Sequence, residues 1–170
     1  MKITMQPATS LDGFIAKLNG DSESWVSPAD EARYQAVVKA CGNVLVGRKT
    51  YEQYKADFDD YGDVLVFVMT TNESYKDTGH VKYLRGDAKE VVESIRSTYG
   101  FEELVVCGGG EVNGSLAAAG LVTDIVISIQ PAILGEGIPL FGSYRPDLQL
   151  ELVSVNQGIP GVIQNHYRVV

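Results

Sequence analysis

Three consecutive glycines at the end of an apolar run form the stretch of this chain best suited to bind a ligand. Residues 104–107 are apolar, Gly108, Gly109 and Gly110 follow, and a helical pattern that includes Glu111 and Val112 begins at once. A strand, a glycine turn and a helix in this order let the backbone approach a ligand closely, and the helix N-terminus suits a phosphate. A tight turn that only packs helix on strand is the alternative, because the full dinucleotide fingerprint is absent.

Polar residues also follow two other apolar runs. Gly47, Arg48, Lys49 and Thr50 come after the run at 43–46, and Thr70 and Thr71 come after the run at 64–69. The carboxyl ends of parallel strands meet at one edge of a sheet, where ligands gather. The three turns together therefore predict a site for a diphosphate ligand with an additional phosphate.

Composition bounds the classes of partner. The chain has 170 residues, 45% of them apolar and 21% charged, which predicts one globular domain over residues 1–170. A net charge of -8 disfavours nucleic acid and anionic membranes as partners. Two cysteines, Cys41 and Cys107, have no metal-ligand spacing, so we expect buried thiols, no metal site and a reducing compartment. The N-terminal residues have no apolar segment typical of a signal peptide, and the cytoplasm is the expected location.

The order of the elements predicts an α/β fold. Continuous apolar runs predict buried strands that alternate with helices, which is typical of a mostly parallel central sheet covered on both faces. Alternating residues at 148–156 and 162–170 predict an antiparallel C-terminal edge. We expect strands at 2–8, 43–47, 64–69, 81–84, 104–107 and 124–130, helices at 27–41, 48–56, 87–99 and 110–119, and loops at 17–24, 57–63 and 131–142.

Five motifs carry a resemblance to a known family. They are Ser-Leu-Asp-Gly-Phe-Ile-Ala at 10–16, Val-Gly-Arg-Lys-Thr-Tyr-Glu at 46–52, Val-Val-Cys-Gly-Gly-Gly-Glu at 105–111, Ala-Gly-Leu-Val-Thr-Asp at 119–124, and the segment 133–141. In this order they resemble the dihydrofolate reductase fold family, and most of all the single-domain relatives of the riboflavin-biosynthesis reductase domain. The resemblance implies NADPH as cofactor and hydride transfer to a small pterin- or pyrimidine-like heterocycle. It also implies a homodimer.

The resemblance assigns cofactor contacts to the predicted turns. Arg48 becomes the expected partner of the 2′-phosphate, since a guanidinium suits a bidentate phosphate contact. A solvated helix start is the alternative for Arg48 and Lys49. The full set of expected cofactor-binding residues is Ala8, Ala16, Gly47, Arg48, Lys49, Thr50, Thr70, Thr71, Gly108, Gly109, Gly110, Glu111 and Val112, with both alanines placed beside the nicotinamide carboxamide.

The expected substrate side is near the start of the first helix. Trp25 followed by Asp30 is similar to the tryptophan and acid of dihydrofolate reductases, so Asp30 is the candidate catalytic proton donor and Trp25 a substrate contact. A capping box between Ser27 and Asp30 explains the same residues without a substrate. The resemblance also places Asp12 beside the substrate, although an Asx-type turn explains it as well.

One position departs from the family pattern. The riboflavin-pathway reductases usually carry a glutamate before the glycines, and this chain has Cys107 there. That glutamate is linked to the ribosylated pyrimidine substrate, so the departure puts this substrate in doubt. A second hypothesis therefore stays open, in which the chain is a non-catalytic dimeric nucleotide-binding module on the same fold. His80 and His166 stand far apart in sequence and are assigned no role.

Overall fold

A sheet of nine strands lies at the centre of the computed structural model, which describes residues 1–170. Its strands in chain order are β1 Lys2–Met5, β2 Ala8–Thr9, β4 Asn43–Gly47, β5 Leu65–Met69, β6 Val81–Leu84, β7 Glu103–Gly108, β8 Asp124–Ile129, β10 Leu150–Asn156 and β11 Ile163–Val169. A separate pair joins β3 Phe14–Ala16 to β9 Ile138–Pro139. The second half of this pair lies inside the segment 131–142, which the sequence predicted as loop.

Strand order explains why polar turns from distant parts of the chain meet. The order across the sheet is β10-β11-β8-β1-β7-β4-β5-β6, with β2 beside β8. All neighbours from β8 to β6 run parallel, whereas β11 pairs antiparallel with both β8 and β10. The predicted mostly parallel sheet with an antiparallel C-terminal edge is confirmed. The carboxyl ends of β7, β4 and β5 are adjacent, as the site requires.

The helices cover both faces of the sheet. They are α1 Pro28–Cys41, α2 Arg48–Gln53, α3 Lys55–Asp59, α4 Ala88–Tyr99 and α5 Gly110–Ala118. Alternate residues of the central strands enter two cores: Leu45 and Phe67 pack under α4 and α5, and Val44 and Val66 face the opposite side. None of the helices combines the length and apolar character that crossing a bilayer needs.

Two local predictions are wrong. The single helix expected over 48–56 is interrupted at Tyr54, whose φ of -114° is not helical, and α3 then extends into the segment predicted as an acidic loop. The predicted capping box of α1 is also absent, because the side chain of Ser27 makes no capping hydrogen bond. Asp30 turns its carboxylate into the protein instead, as described below. The capping box that does form joins Asp87 and Glu90 at α4.

Candidate functional site

A cleft of about 840 Å³ opens at the carboxyl ends of β4, β5 and β7. This volume is within the range of cofactor and substrate pockets. The residues expected to bind cofactor or act in catalysis that line it are Ala8, Ala16, Asp30, Gly47, Arg48, Lys49, Thr50, Thr70, Thr71, Gly109, Gly110, Glu111 and Val112. Gly108, Asp12 and Trp25 are outside the lining. The structure thus brings the three predicted turns and Asp30 to a single cavity.

The glycine edge of the cleft, which we define as Gly47, Thr50 and residues 108–112, is formed by closely approaching backbone. A Cβ atom on Gly47 would lie 3.0 Å from Cγ2 of Val112, and one on Gly109 would lie 3.1 Å from Oγ1 of Thr50. A Cβ on Gly110 would lie 2.7 Å from the carbonyl oxygen of Pro139. No side chain caps α5, so the amides of its first turn have no side-chain partner within the protein. This cradle fits a phosphate-bearing nucleotide.

Two cations of the cleft, Arg48 and Lys49, stand at the start of α2. Nη1 of Arg48 donates to Oε2 of Glu52 at 2.6 Å, one helical turn later, and the hydroxyl of Tyr75 also donates to Glu52. Glu52 thereby orients the guanidinium, whose side chain is about one-third exposed at 34%. Lys49 is exposed and makes no ion pair. Both cations border the glycine edge, where the sequence predicted a phosphate partner.

Glu111, in the first turn of α5, also has a structural role. Its carboxylate accepts hydrogen bonds from the backbone amide and the hydroxyl of Ser143, both at 2.8 Å. This contact fastens the segment after β9 to α5. Glu111 therefore lines the cleft with its carboxylate already bonded.

Asp30 is the centre of a buried carboxylate network, which we define as Asp30, Arg33, Ser128 and Gln130. Its Oδ1 accepts from Nε of Arg33 at 2.8 Å and from the hydroxyl of Ser128 at 3.0 Å, and its Oδ2 accepts from Nε2 of Gln130 at 2.8 Å. The side chain of Asp30 is 3% exposed, and that of Arg33 is 22% exposed. The carboxylate thus faces three donors at the wall of the cleft.

The sequence did not predict the hydrogen-bond partners of Asp30. Ser128 and Gln130 lie at and just after the end of β8, about a hundred residues away, and nothing in the apolar run of that strand marks them. Arg33 is the exception, since it stands three residues after Asp30, a spacing that brings two side chains together on a helix. That spacing could have predicted the ion pair between Asp30 and Arg33.

The two expected substrate contacts are placed elsewhere. The carboxylate of Asp12 accepts from the amide of Leu134 at 3.1 Å and from the amide of Gly135 at 2.7 Å, which ties two surface loops together. Trp25 donates its Nε1 proton to the carbonyl oxygen of Asp21 at 3.3 Å. Both side chains hold loops, and the structure brings neither of them into the cleft lining.

Residues 17–24, which the sequence predicted as a loop, form part of the cleft wall. The hydroxyls of Ser22 and Tyr54 are 2.8 Å apart, and Nε2 of Gln53 donates to the carbonyl oxygen of Gly20 at 3.0 Å. These bonds fasten the segment to the junction of α2 and α3. The wall is therefore held in place by the same break at Tyr54 that the sequence did not predict.

A group of weakly acidic side chains lines the cleft next to the carboxylate network. Cys107, Tyr34 and Tyr61 belong to it, and burial raises the pKa of all three, that of Cys107 to about 11. Their hydrogens therefore stay bound at neutral pH. The hydroxyl of Tyr34 is buried, and the neighbouring Cys107 contributes to the raised pKa of this tyrosine. These residues offer neutral polar atoms where the family pattern has a glutamate.

Comparison with known proteins identifies the class to which this fold and cleft belong. The model of the RibD C-terminal domain family matches residues 1–164, and the chain belongs to that family. It is 28% identical to the uncharacterized protein YwjB of Bacillus subtilis over 172 residues, which are 98% of this chain and 97% of YwjB.

Solved structures agree on the fold. A putative riboflavin biosynthesis protein from Shewanella sp. PV-4 superposes with a TM-score of 0.83 at 24% identity, over 100% of this chain and 99% of the other. A deaminase/5-amino-6-(5-phosphoribosylamino)uracil reductase from Thermotoga maritima gives a TM-score of 0.78 at 20% identity, over 99% of this chain and 56% of the other. Dihydrofolate reductase from Enterococcus faecalis, complexed with NADP(H), gives 0.73 at 20%, over 99% and 96%. The chain therefore shares its fold with these three proteins.

Proposed function

We propose that this protein is an NADPH-dependent reductase that transfers a hydride to a pterin- or pyrimidine-like heterocycle. The observation that supports it best is the glycine edge, where backbone from two strand ends approaches within contact distance beside Arg48 and Lys49. Membership in a family of reductase domains supports it as well. A bound nicotinamide would supply the hydride. The chain would supply the binding, the orientation and the exclusion of water.

Each part of the cleft has a proposed task in holding the cofactor. The backbone of Gly109 and Gly110 would hold the pyrophosphate, and Thr70 and Thr71 would border it from the end of β5. Arg48, with Lys49 beside it, would bind the 2′-phosphate in exchange for part of its contact with Glu52. Ala8 and Ala16 would leave room for the nicotinamide ring, because each side chain ends at Cβ.

A catalytic role for Asp30 is part of the proposal. Its place in the wall of the cleft supports the role, whereas its three donors require that the pair with Arg33 opens before the carboxyl carries a proton. The non-catalytic nucleotide-binding module is the second candidate, and this occupied carboxylate is the observation that favours it. Turnover of Asp30→Asn near the wild-type rate would remove the acid role.

The test is a titration with NADPH and NADH followed by the fluorescence of the reduced nicotinamide. We expect NADPH to bind more tightly than NADH, and Arg48→Ala to weaken NADPH binding about tenfold while NADH binding stays unchanged, because only NADPH carries the 2′-phosphate. Arg96→Ala, on the far helix α4, is the matched control. Equal binding of the two nucleotides, or none, would contradict the reductase assignment.

A substrate screen then separates the two candidates. Oxidation of bound NADPH on addition of pterins, ribosylaminopyrimidines or simple carbonyls would establish a reductase. NADPH binding without turnover across the screen favours the non-catalytic module.

We also propose that the protein forms a homodimer through the edge strand β10. Its apolar side chains are largely exposed, including Leu152 at 53% and Val155 at 51%, and an edge strand presents unpaired backbone groups. A second copy would cover both. Sedimentation at micromolar concentration should give a dimer, and Leu152→Lys should shift it to monomer. A wild-type monomer would contradict this assembly.

A further inference from the structure

Arg48 lines the cleft, but the two side chains that hold it lie outside the cleft lining. Nη1 of Arg48 donates to Oε2 of Glu52 at 2.6 Å, and the hydroxyl of Tyr75 donates to the other oxygen of the same carboxylate, Oε1. The hydrogen bond to Glu52 raises the pKa of Tyr75, whereas Arg48 lowers it. Arg48, Glu52 and Tyr75 therefore form one cluster, the arginine cluster, with a single carboxylate between two donors.

Tyr75 is held in place by contacts that do not involve Arg48. It belongs to the segment between β5 and β6, and its ring stacks on that of Tyr83 in β6, with the ring centroids 4.9 Å apart. Its backbone carbonyl oxygen accepts from Nη2 of Arg85 at 2.6 Å. The hydroxyl of Tyr75 therefore stays beside Glu52 when Arg48 turns toward a ligand.

The pair between Arg48 and Glu52 is weak enough for a phosphate to compete with it. The two side chains are 34% and 40% exposed and stand one helical turn apart, and exposed pairs of this kind contribute little. A phosphate on the same guanidinium would meet a second anion in Glu52, and like charges at one site oppose each other. The hydroxyl of Tyr75 gives this carboxylate a donor that remains after Arg48 has left. Glu52 thus weakens the attraction of Arg48 for a phosphate, and Tyr75 restores part of it.

We propose that Glu52 and Tyr75 set the preference for NADPH over NADH by acting through Arg48. Glu52 reduces this preference, and Tyr75 increases it by holding the carboxylate of Glu52. The proposal rests on the proposed function, which assigns the 2′-phosphate of NADPH to Arg48. Glu52 and Tyr75 are positioning residues, since both lie outside the cleft lining. NADH has no 2′-phosphate, so its binding should not respond to either residue.

The ratio of the Kd for NADH to the Kd for NADPH, from titrations of the intact protein, measures this preference. Glu52→Gln should tighten NADPH binding about threefold and leave NADH binding unchanged, because the competing charge is removed. Asp59→Asn is the matched control, since Asp59 pairs with Lys55 at the same spacing and the same 2.6 Å, but both lie outside the cleft lining. An unchanged or smaller ratio in Glu52→Gln would overturn the proposal.

The variant Tyr75→Phe should have the opposite effect. Without the hydroxyl, Glu52 keeps Arg48 as its donor, and NADPH binding should weaken about twofold while NADH binding stays unchanged. Tyr99→Phe, a half-buried tyrosine on the far helix α4, is the control and should change neither. The double variant with Glu52→Gln should behave as Glu52→Gln alone, because Tyr75 acts only through Glu52. An effect of Tyr75→Phe that is as large in the double variant would overturn this coupling.

The two proposals fail in different ways. Equal binding of both nucleotides by the wild type, with a preference for NADPH that emerges in Glu52→Gln, would contradict the reductase assignment as stated and support the role of Glu52. A wild-type preference for NADPH that neither variant changes would contradict the arginine cluster alone. Absence of nucleotide binding in the wild type and in both variants would contradict both proposals.

Discussion

The two walls of the cleft differ in whether backbone or side-chain atoms form them. At the glycine edge the walls are backbone, and a single added Cβ would already collide with neighbouring atoms, as at Gly110. At the opposite wall the polar groups are side chains, and those of the carboxylate network are bonded to one another. One wall has a fixed shape, and the other has a chemistry that substitutions can alter.

The difference teaches how one fold supports many reactions. A cradle of backbone amides binds the parts that every nucleotide shares, so it gains little from variation and tolerates almost none. Side chains on α1 and α3 can change charge without moving the sheet, since Asp57 is exposed and Glu31 is half-buried. Specificity for the second ligand therefore belongs to the side-chain wall.

The largest effect is expected from breaking the carboxylate network. Asp30→Asn leaves the mostly buried guanidinium of Arg33 without its counter-ion, and the free energy of unfolding should fall by about 3 kcal/mol, measured by urea denaturation. NADPH binding should persist, because the glycine edge is not involved. The double variant with Arg33→Gln should recover part of the loss, since no unpaired charge remains. A loss no larger than that of the surface control Glu73→Gln would mean that the network adds no stability.

The next effect comes from filling the glycine edge. In Gly110→Ala the new Cβ would meet the carbonyl oxygen of Pro139 at 2.7 Å and the amide of Gly142 at 2.8 Å, both of them backbone atoms. We expect a loss of about 2 kcal/mol in the free energy of unfolding together with loss of NADPH binding. Ala118→Gly, at the exposed end of the same helix, should cost about 1 kcal/mol or less and leave binding intact. NADPH binding by Gly110→Ala at wild-type affinity would contradict the proposed cradle.

The glycine edge was predictable from the sequence because its signals are local. Glycine, hydroxyl and cationic residues directly follow the apolar runs that end in β4, β5 and β7, and the parallel order of the strands is enough to bring them together. The fold was predictable for a similar reason, since continuous apolar runs between helices are typical of a parallel sheet. Cys107 was readable as a departure from the family pattern, but its neighbours were not.

The carboxylate network was not predictable, because its members are joined only by the fold. The pattern Ser27-Pro28-Ala29-Asp30 is suited to a capping box, and local sequence cannot tell a cap from a side chain that turns inward. The fold determines the outcome, because Ser128 in β8 and Gln130 just after it, about a hundred residues away, donate hydrogen bonds to the carboxylate of Asp30. The break at Tyr54 escaped for the same reason, since its hydroxyl is bonded to Ser22 in a distant loop.

The smallest effect concerns a second buried carboxylate, Asp124. It shows whether the network at Asp30 contributes more stability than another buried carboxylate of the same fold. Burial alone would raise the pKa of Asp124, but hydrogen bonds from His166 at 2.7 Å and Thr123 at 2.8 Å lower it below its usual value. A lowered pKa contributes stability that is present above the unfolded value of about 3.9 and is lost as the pH falls through the folded value. Asp124→Asn should therefore cost about 1 kcal/mol at pH 7, and this difference should shrink as the pH falls below about 3.9.

Urea denaturation at a series of pH values measures this difference, with the exposed Asp147→Asn as a control that should show none. NADPH binding should be unchanged in both variants, because Asp124 is outside the cleft lining. A cost at pH 7 as large as that of Asp30→Asn would mean that any buried carboxylate of this fold carries the same stability. The contrast between the two walls would then rest on their shape and not on the network.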